Sequence, residues 1–172
     1  MSNIPVTLQI NSQDSEIYIG SEKIALPNPN PYHEFWYYGV DLRNPTGPAV
    51  FNLLDKSNTE VPSEVSAHEN DENVLLCFMF ANTPTSYLPQ GSLYTFLREA
   101  GAGPVLARTE QMAEQSGSSI FGFPNYGLAA TMLTSDEPGF EAVGYFNPGY
   151  LTFQLMPVVI DHNTVYSPVQ VA

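Results

Sequence analysis

Val74-Leu75-Leu76-Cys77-Phe78-Met79-Phe80-Ala81 is the most continuously apolar run in the chain, and it lies near its middle. A strand whose residues alternate between core and solvent shows period-two polarity, and this run shows none, so both of its faces must be buried. It is far short of the about 20 apolar residues that a membrane helix requires. The acidic stretch His68-Glu69-Asn70-Asp71-Glu72-Asn73 bounds it on one side and Thr83-Pro84-Thr85 on the other. The run therefore predicts a central strand with the rest of the chain packed around it.

The flanking segments agree with a β-rich domain. Ile4 to Asn11 alternates, with Val6, Leu8 and Ile10 on one face, and Glu16 to Gly20 and Glu22 to Leu26 read as a short hairpin. Pro27-Asn28-Pro29-Asn30-Pro31 holds an extended crossing that is neither helix nor central strand. His33 to Arg43 reads as a strand with Trp36, Tyr38, Val40 and Leu42 on its core face. Its second face runs from aromatic to charged, as expected of a surface passing from covered to open. Asn44-Pro45-Thr46-Gly47-Pro48 turns the chain into a returning strand, Ala49 to Asp55. Ser57 to Ser66, with Val61 and Val65 alternating, is expected to be an edge strand.

Two helices follow, from Ser92 to Gly101 and from Pro104 to about Gln115. Beyond them come short apolar pieces, Ile120 to Phe123, Leu128 to Leu133 and Phe140 to Phe146, and then a terminal hairpin of Tyr150 to Ile160 and Val165 to Val171. The pattern predicts a mainly β chain with one domain spanning 1–172, an antiparallel β-sandwich or flattened barrel with one short helical insertion at about 92–116.

Charge narrows the function classes. The formal net charge is −13, with Lys23, Arg43, Lys56, Arg98 and Arg108 the only Lys and Arg residues. Five scattered cations make no basic patch, so no nucleic acid partner is expected, and electrostatic docking to anionic lipid is disfavoured. A neutral or cationic ligand, or a protein partner, is favoured. Cys77, the single cysteine, sits in the most apolar strand and reads as an inert core thiol. Met1 to Asn11 lacks a basic region followed by an apolar run, so the expected location is cytoplasmic, or outside the cell after release without a signal peptide.

No motif for catalysis stands out. His33, His68 and His162 each neighbour a carboxylate in sequence, but adjacent strand residues point to opposite faces. The histidine spacing matches no zinc site, and Glu69 to Asn73 lacks the spacing of a calcium loop. No cofactor, metal or catalytic residue is predicted. The remaining candidate is aromatic: Tyr32, Phe35, Trp36 and Tyr37, with Asp41, as an exposed platform for a sugar ring, a cation or a protein.

The expectation is thus a non-enzymatic binding or interaction module. It would act on carbohydrate or a membrane surface, as a lectin or toxin component does. The alternatives are a structural subunit of a homo-oligomer, or a small β-barrel enzyme of cyclase or isomerase type acting on an apolar substrate.

Overall fold

The computed structural model describes residues 1–11, 14–28, 33–116, 122–133, 138–145 and 148–170. The first half contributes strands β1 (Ile4–Ile10), β2 (Glu16–Ile19), β3 (Glu22–Lys23), β4 (Phe35–Asp41) and β5 (Asn52–Asp55), then helix α1 (Ser63–Ser66) and strand β6 (Val74–Phe80). Helices α2 (Gly91–Ala100) and α3 (Pro104–Ser116) follow, then strands β7 (Asn125–Thr131), β8 (Phe140–Gly144), β9 (Gly149–Ile160) and β10 (Asn163–Val169). The strands form two antiparallel sheets, in the orders β10-β9-β1-β2-β3 and β5-β4-β6-β7-β8. They are not closed into a barrel, so of the two expected architectures the sandwich holds and the flattened barrel does not.

β6 is central to the second sheet, between β4 and β7, and all seven of its residues are buried. Its two faces enter two different cores. Leu75, Cys77 and Met79 face the first sheet, where they meet Val6, Leu8 and Ile10 of β1 and Leu151, Phe153 and Leu155 of β9. Leu76, Phe78 and Phe80 face the helices, where they meet Leu93, Phe96 and Leu97 of α2 and Leu106 and Ala113 of α3. The molecule is therefore layered sheet, sheet, helices, with the second sheet in the middle. Burial pushes the Cys77 thiol up to about 12, consistent with an inert core side chain.

The helical pair explains a difference from the sequence expectation. The second face of β4 was expected to pass from covered to open with its aromatic residues forming an exposed platform; instead α2 and α3 cover the whole aromatic end. Phe35 and Tyr37 join Phe78, Phe80 and Tyr126 in one ring cluster, with centroids 5.6 Å apart for Phe35–Phe78, 5.2 Å for Tyr37–Phe78 and 5.2 Å for Phe80–Tyr126. α2 ends at Gly101, whose φ of 116° is left-handed; the N–H of Ala102 then returns to the carbonyl of Leu97 at 2.9 Å. That closure turns the chain sharply enough for α3 to lie over the same sheet.

Ser57 to Ser66 is not the expected edge strand. The Asp55 carboxylate accepts the Ser57 N–H at 2.7 Å, and the Ser57 hydroxyl accepts the Glu60 N–H at 3.1 Å. Such side-chain bonds offer the backbone a turn in place of a ladder. Pro62 then leads into α1, which buries Val65. The terminal hairpin forms as expected, with β9 and β10 paired from Asn163↔Ile160 to Val169↔Gln154.

Candidate functional site

Three of the expected binding residues lie deep in the molecule. Trp36 sits in the sheet–sheet core, where its indole N–H donates to the Asn52 Oδ1 at 3.0 Å. Phe35 and Tyr37 sit in the sheet–helix core. They form no exposed platform; filling two cores is what a β4 buried on both faces requires. Tyr32 lies outside the described residues.

Tyr37 has a further peculiarity. Its hydroxyl is buried with no hydrogen-bond partner among the described residues, and burial, with the Asp55 carboxylate adding to it, raises its pKa far above the usual phenol range. An unpaired buried hydroxyl destabilises the fold, whereas an apolar group of the same shape does not. Tyr37→Phe is therefore expected to leave stability unchanged or raise it by about 1 kcal/mol. Urea unfolding measures this, and a loss above that size would reveal a partner for the hydroxyl.

Among the described residues, Asp41 is the one expected site residue near the surface. Its carboxylate accepts Arg43 Nε at 2.9 Å, Nη2 at 3.2 Å and the Arg43 backbone N–H at 3.0 Å. The Arg43 guanidinium holds the Asp41 carboxyl below the usual range, and Asp41 in turn raises Arg43. Arg43 of this pair lines a cleft of about 750 Å³.

The cleft lies where the two sheets diverge. One wall is the β9–β10 hairpin, with Val158, Ile160, Val165 and Tyr166; the other comes from the ends of the second sheet, with Leu42, Arg43, Glu72, Asn73 and Thr131. Two backbone bonds hold the walls in place. Tyr166 N–H donates to the Leu42 carbonyl at 2.8 Å, and Leu42 N–H donates to the Asn73 carbonyl at 2.8 Å. Asp161, in the turn of the hairpin, completes the rim. Because Asp41 neutralises Arg43, Glu72 and Asp161 set the sign of the rim, and it is negative.

A second groove of about 710 Å³ runs beside α2, with Glu60, Glu69 and Glu99 along it and Phe96 in its lining. The histidines do not converge. His33 stacks on Tyr87 with centroids 4.1 Å apart, His68 lies 3.7 Å from Asp71 Oδ2, and His162 belongs to the β9–β10 turn. Among the described residues, no three His, Cys, Asp or Glu side chains are placed to hold a metal ion. No helix among them is long and apolar enough to cross a membrane.

The sequence reading did not single out Tyr166, and it weighed Glu72 only within the acidic loop 69–73 and Asp161 only as the neighbour of His162. A signal for the region was present: Met156 to Ile160 is apolar without alternation at the end of a strand that alternates before it. No protein-family model matches the chain, and no curated protein matches it either.

Proposed function

We propose that this chain is a non-enzymatic binding module whose site is the cleft between the β9–β10 hairpin and the ends of β4, β6 and β7. The ligand is neutral or cationic and combines an apolar face with hydrogen-bond donors; a sugar ring or a small amine has that make-up. One observation carries the reading: an apolar and aromatic wall of Val158, Val165 and Tyr166 faces a rim whose only cation among the described residues, Arg43, is already paired with Asp41. An anion would meet Glu72 and Asp161 with no unneutralised cation to offset them. Tyr166 supplies the flat surface on which a sugar or an alkylammonium packs.

Thermal unfolding with simple sugars and with short amines tests this. A ligand held at 100 times its Kd stabilises the fold by about 2.7 kcal/mol, which raises the midpoint by about 5–10 °C for a chain of this size. For an amine, Glu72→Gln with Asp161→Asn should remove most of the rise; for a sugar, Tyr166→Leu should. Absence of both a rise and any amide shift around the cleft with either class would reject the site.

A further inference from the structure

We propose that the open edge of β9, from Pro157 to Ile160, is a docking strand for an extended basic segment of a partner protein. The backbone edge it uses, at Pro157 and Val159, does not line the cleft, although Val158, Ile160 and Asp161 of the same arm do.

The register identifies the edge. β1 pairs with β9 only from Gly149 to Leu155, whereas β10 pairs with β9 up to Ile160. The last five residues of β9 therefore overrun β1 and project as half of a two-stranded arm. Pro5 directs its carbonyl to Gly20 on the β2 side, so Ile4, Val6, Leu8 and Ile10 bond to β9, and residues 149, 151, 153 and 155 of β9 answer them. Continuing that alternation, the Pro157 carbonyl and the Val159 N–H and carbonyl point to the side where β1 has ended. No backbone bond to the Val159 N–H or carbonyl is made there among the described residues.

The neighbouring edge shows what protection looks like. On the outer side of β10, the Tyr166 N–H is taken by Leu42, and Pro168 has no N–H to offer. Among the described residues the β9 edge carries no lysine and no hydrogen-bonded covering segment; Pro157 withholds one N–H from it, and Val159 keeps both of its backbone groups open. Apolar side chains flank it on both faces: Val159 is 69% exposed on one, and Ile160 and Met156 are 55% and 40% exposed on the other. The turn that closes the arm holds Asp161 and His162 at φ of 48° and 68°, a left-handed pair suited to a tight hairpin, so the arm has a defined shape.

The Pro157 carbonyl and the Val159 N–H and carbonyl, side by side on one edge, select an extended backbone, and valine and isoleucine beside them select apolar side chains on it. Charge selects the rest. Asp161 caps the arm, and no Lys or Arg occurs anywhere after Arg108. A second copy would bring another −13 of net charge. A bilayer is disfavoured because Asp161 and His162, at the tip, would enter it first.

The test uses the whole chain, labelled with nitrogen-15, and a synthetic peptide that alternates lysine and valine. Amide shifts confined to residues 156–163, absent with a glutamate–valine peptide and weakened in high salt, are the expected result. N-methylation of alternate peptide nitrogens, or Val159→Pro in the protein, should each lower affinity at least tenfold. Failure to bind at millimolar peptide, or binding indifferent to N-methylation, would overturn the proposal. Concentration-dependent shifts of the arm without peptide, or co-sedimentation with neutral vesicles that Val159→Lys abolishes, would replace the partner with a second copy or a bilayer. Neither outcome depends on Glu72 or Tyr166, so the cleft can fail while the edge stands, and the reverse.

Discussion

Trp36→Ala is expected to remove about 3–5 kcal/mol of folding stability, and Phe78→Ala a similar amount. Each truncates a fully buried aromatic side chain, one on either side of the middle sheet. Phe78 is at the centre of the ring cluster, touching Phe35, Tyr37, Phe80 and Tyr126, so its removal leaves a cavity bounded by rigid rings that cannot collapse into it. Trp36 adds a polar loss. Its indole N–H holds Asn52 Oδ1, and the Asn52 amide in turn donates to the Ala25 carbonyl at 2.9 Å. That chain of bonds ties β5 to the segment leaving the first sheet. Domains of this kind have about 5–15 kcal/mol in total, so either change removes a large fraction. Urea unfolding should show a lower midpoint at unchanged slope for both. A loss below about 1 kcal/mol at Trp36 would mean that the residue behaves as a surface group.

Glu141→Ala is expected to cost about 2–4 kcal/mol although the residue is only half-buried. Glu141 lies on β8, and its Oε1 accepts two bonds: the Tyr126 hydroxyl at 2.6 Å and the Leu106 N–H at 3.1 Å. The second satisfies a donor in the first turn of α3, where a negative group is also favoured by the helix dipole. One carboxylate thereby joins β7, β8 and α3. Tyr126 is fully buried, and burial foremost, with Glu141 beside it, raises its pKa far above the usual phenol range, so it remains a neutral donor. Removing the carboxylate strands that hydroxyl and opens the helix start together. A double-mutant cycle with Tyr126→Phe isolates their coupling, expected at about 1.5–3 kcal/mol for a bond to a charged group. Additive losses would show that the two residues act separately.

Much of the architecture was legible along the chain. Val74 to Ala81 lacks alternation because both of its faces are covered, and it is the central strand of its sheet. The helical spacing of Leu93, Phe96 and Leu97, closed by Gly101, places α2 where it stands. The terminal hairpin followed from two apolar strands around Asp161-His162-Asn163. Ser57 to Ser66 misled because Val61 and Val65 are spaced for a strand, while Asp55 and Ser57 close turns that the apolar pattern does not report.

The aromatic run shows where such reading stops. Alternation in Phe35 to Asp41 correctly sorts the side chains onto two faces, and the two faces do enter different cores. Whether a face is open or covered depends on a helical pair more than fifty residues further along the chain, and no local pattern encodes where that pair docks. The cleft and the overrunning end of β9 have the same origin, since each depends on where distant strands end relative to one another. The sequence alone determined most of the strands, the helical pair and the excess of negative charge, because these depend on side-chain chemistry and its period along the backbone. Tertiary structure alone decided which aromatic residues are buried and which edge is left unpaired, because burial and pairing belong to contacts between segments remote in sequence.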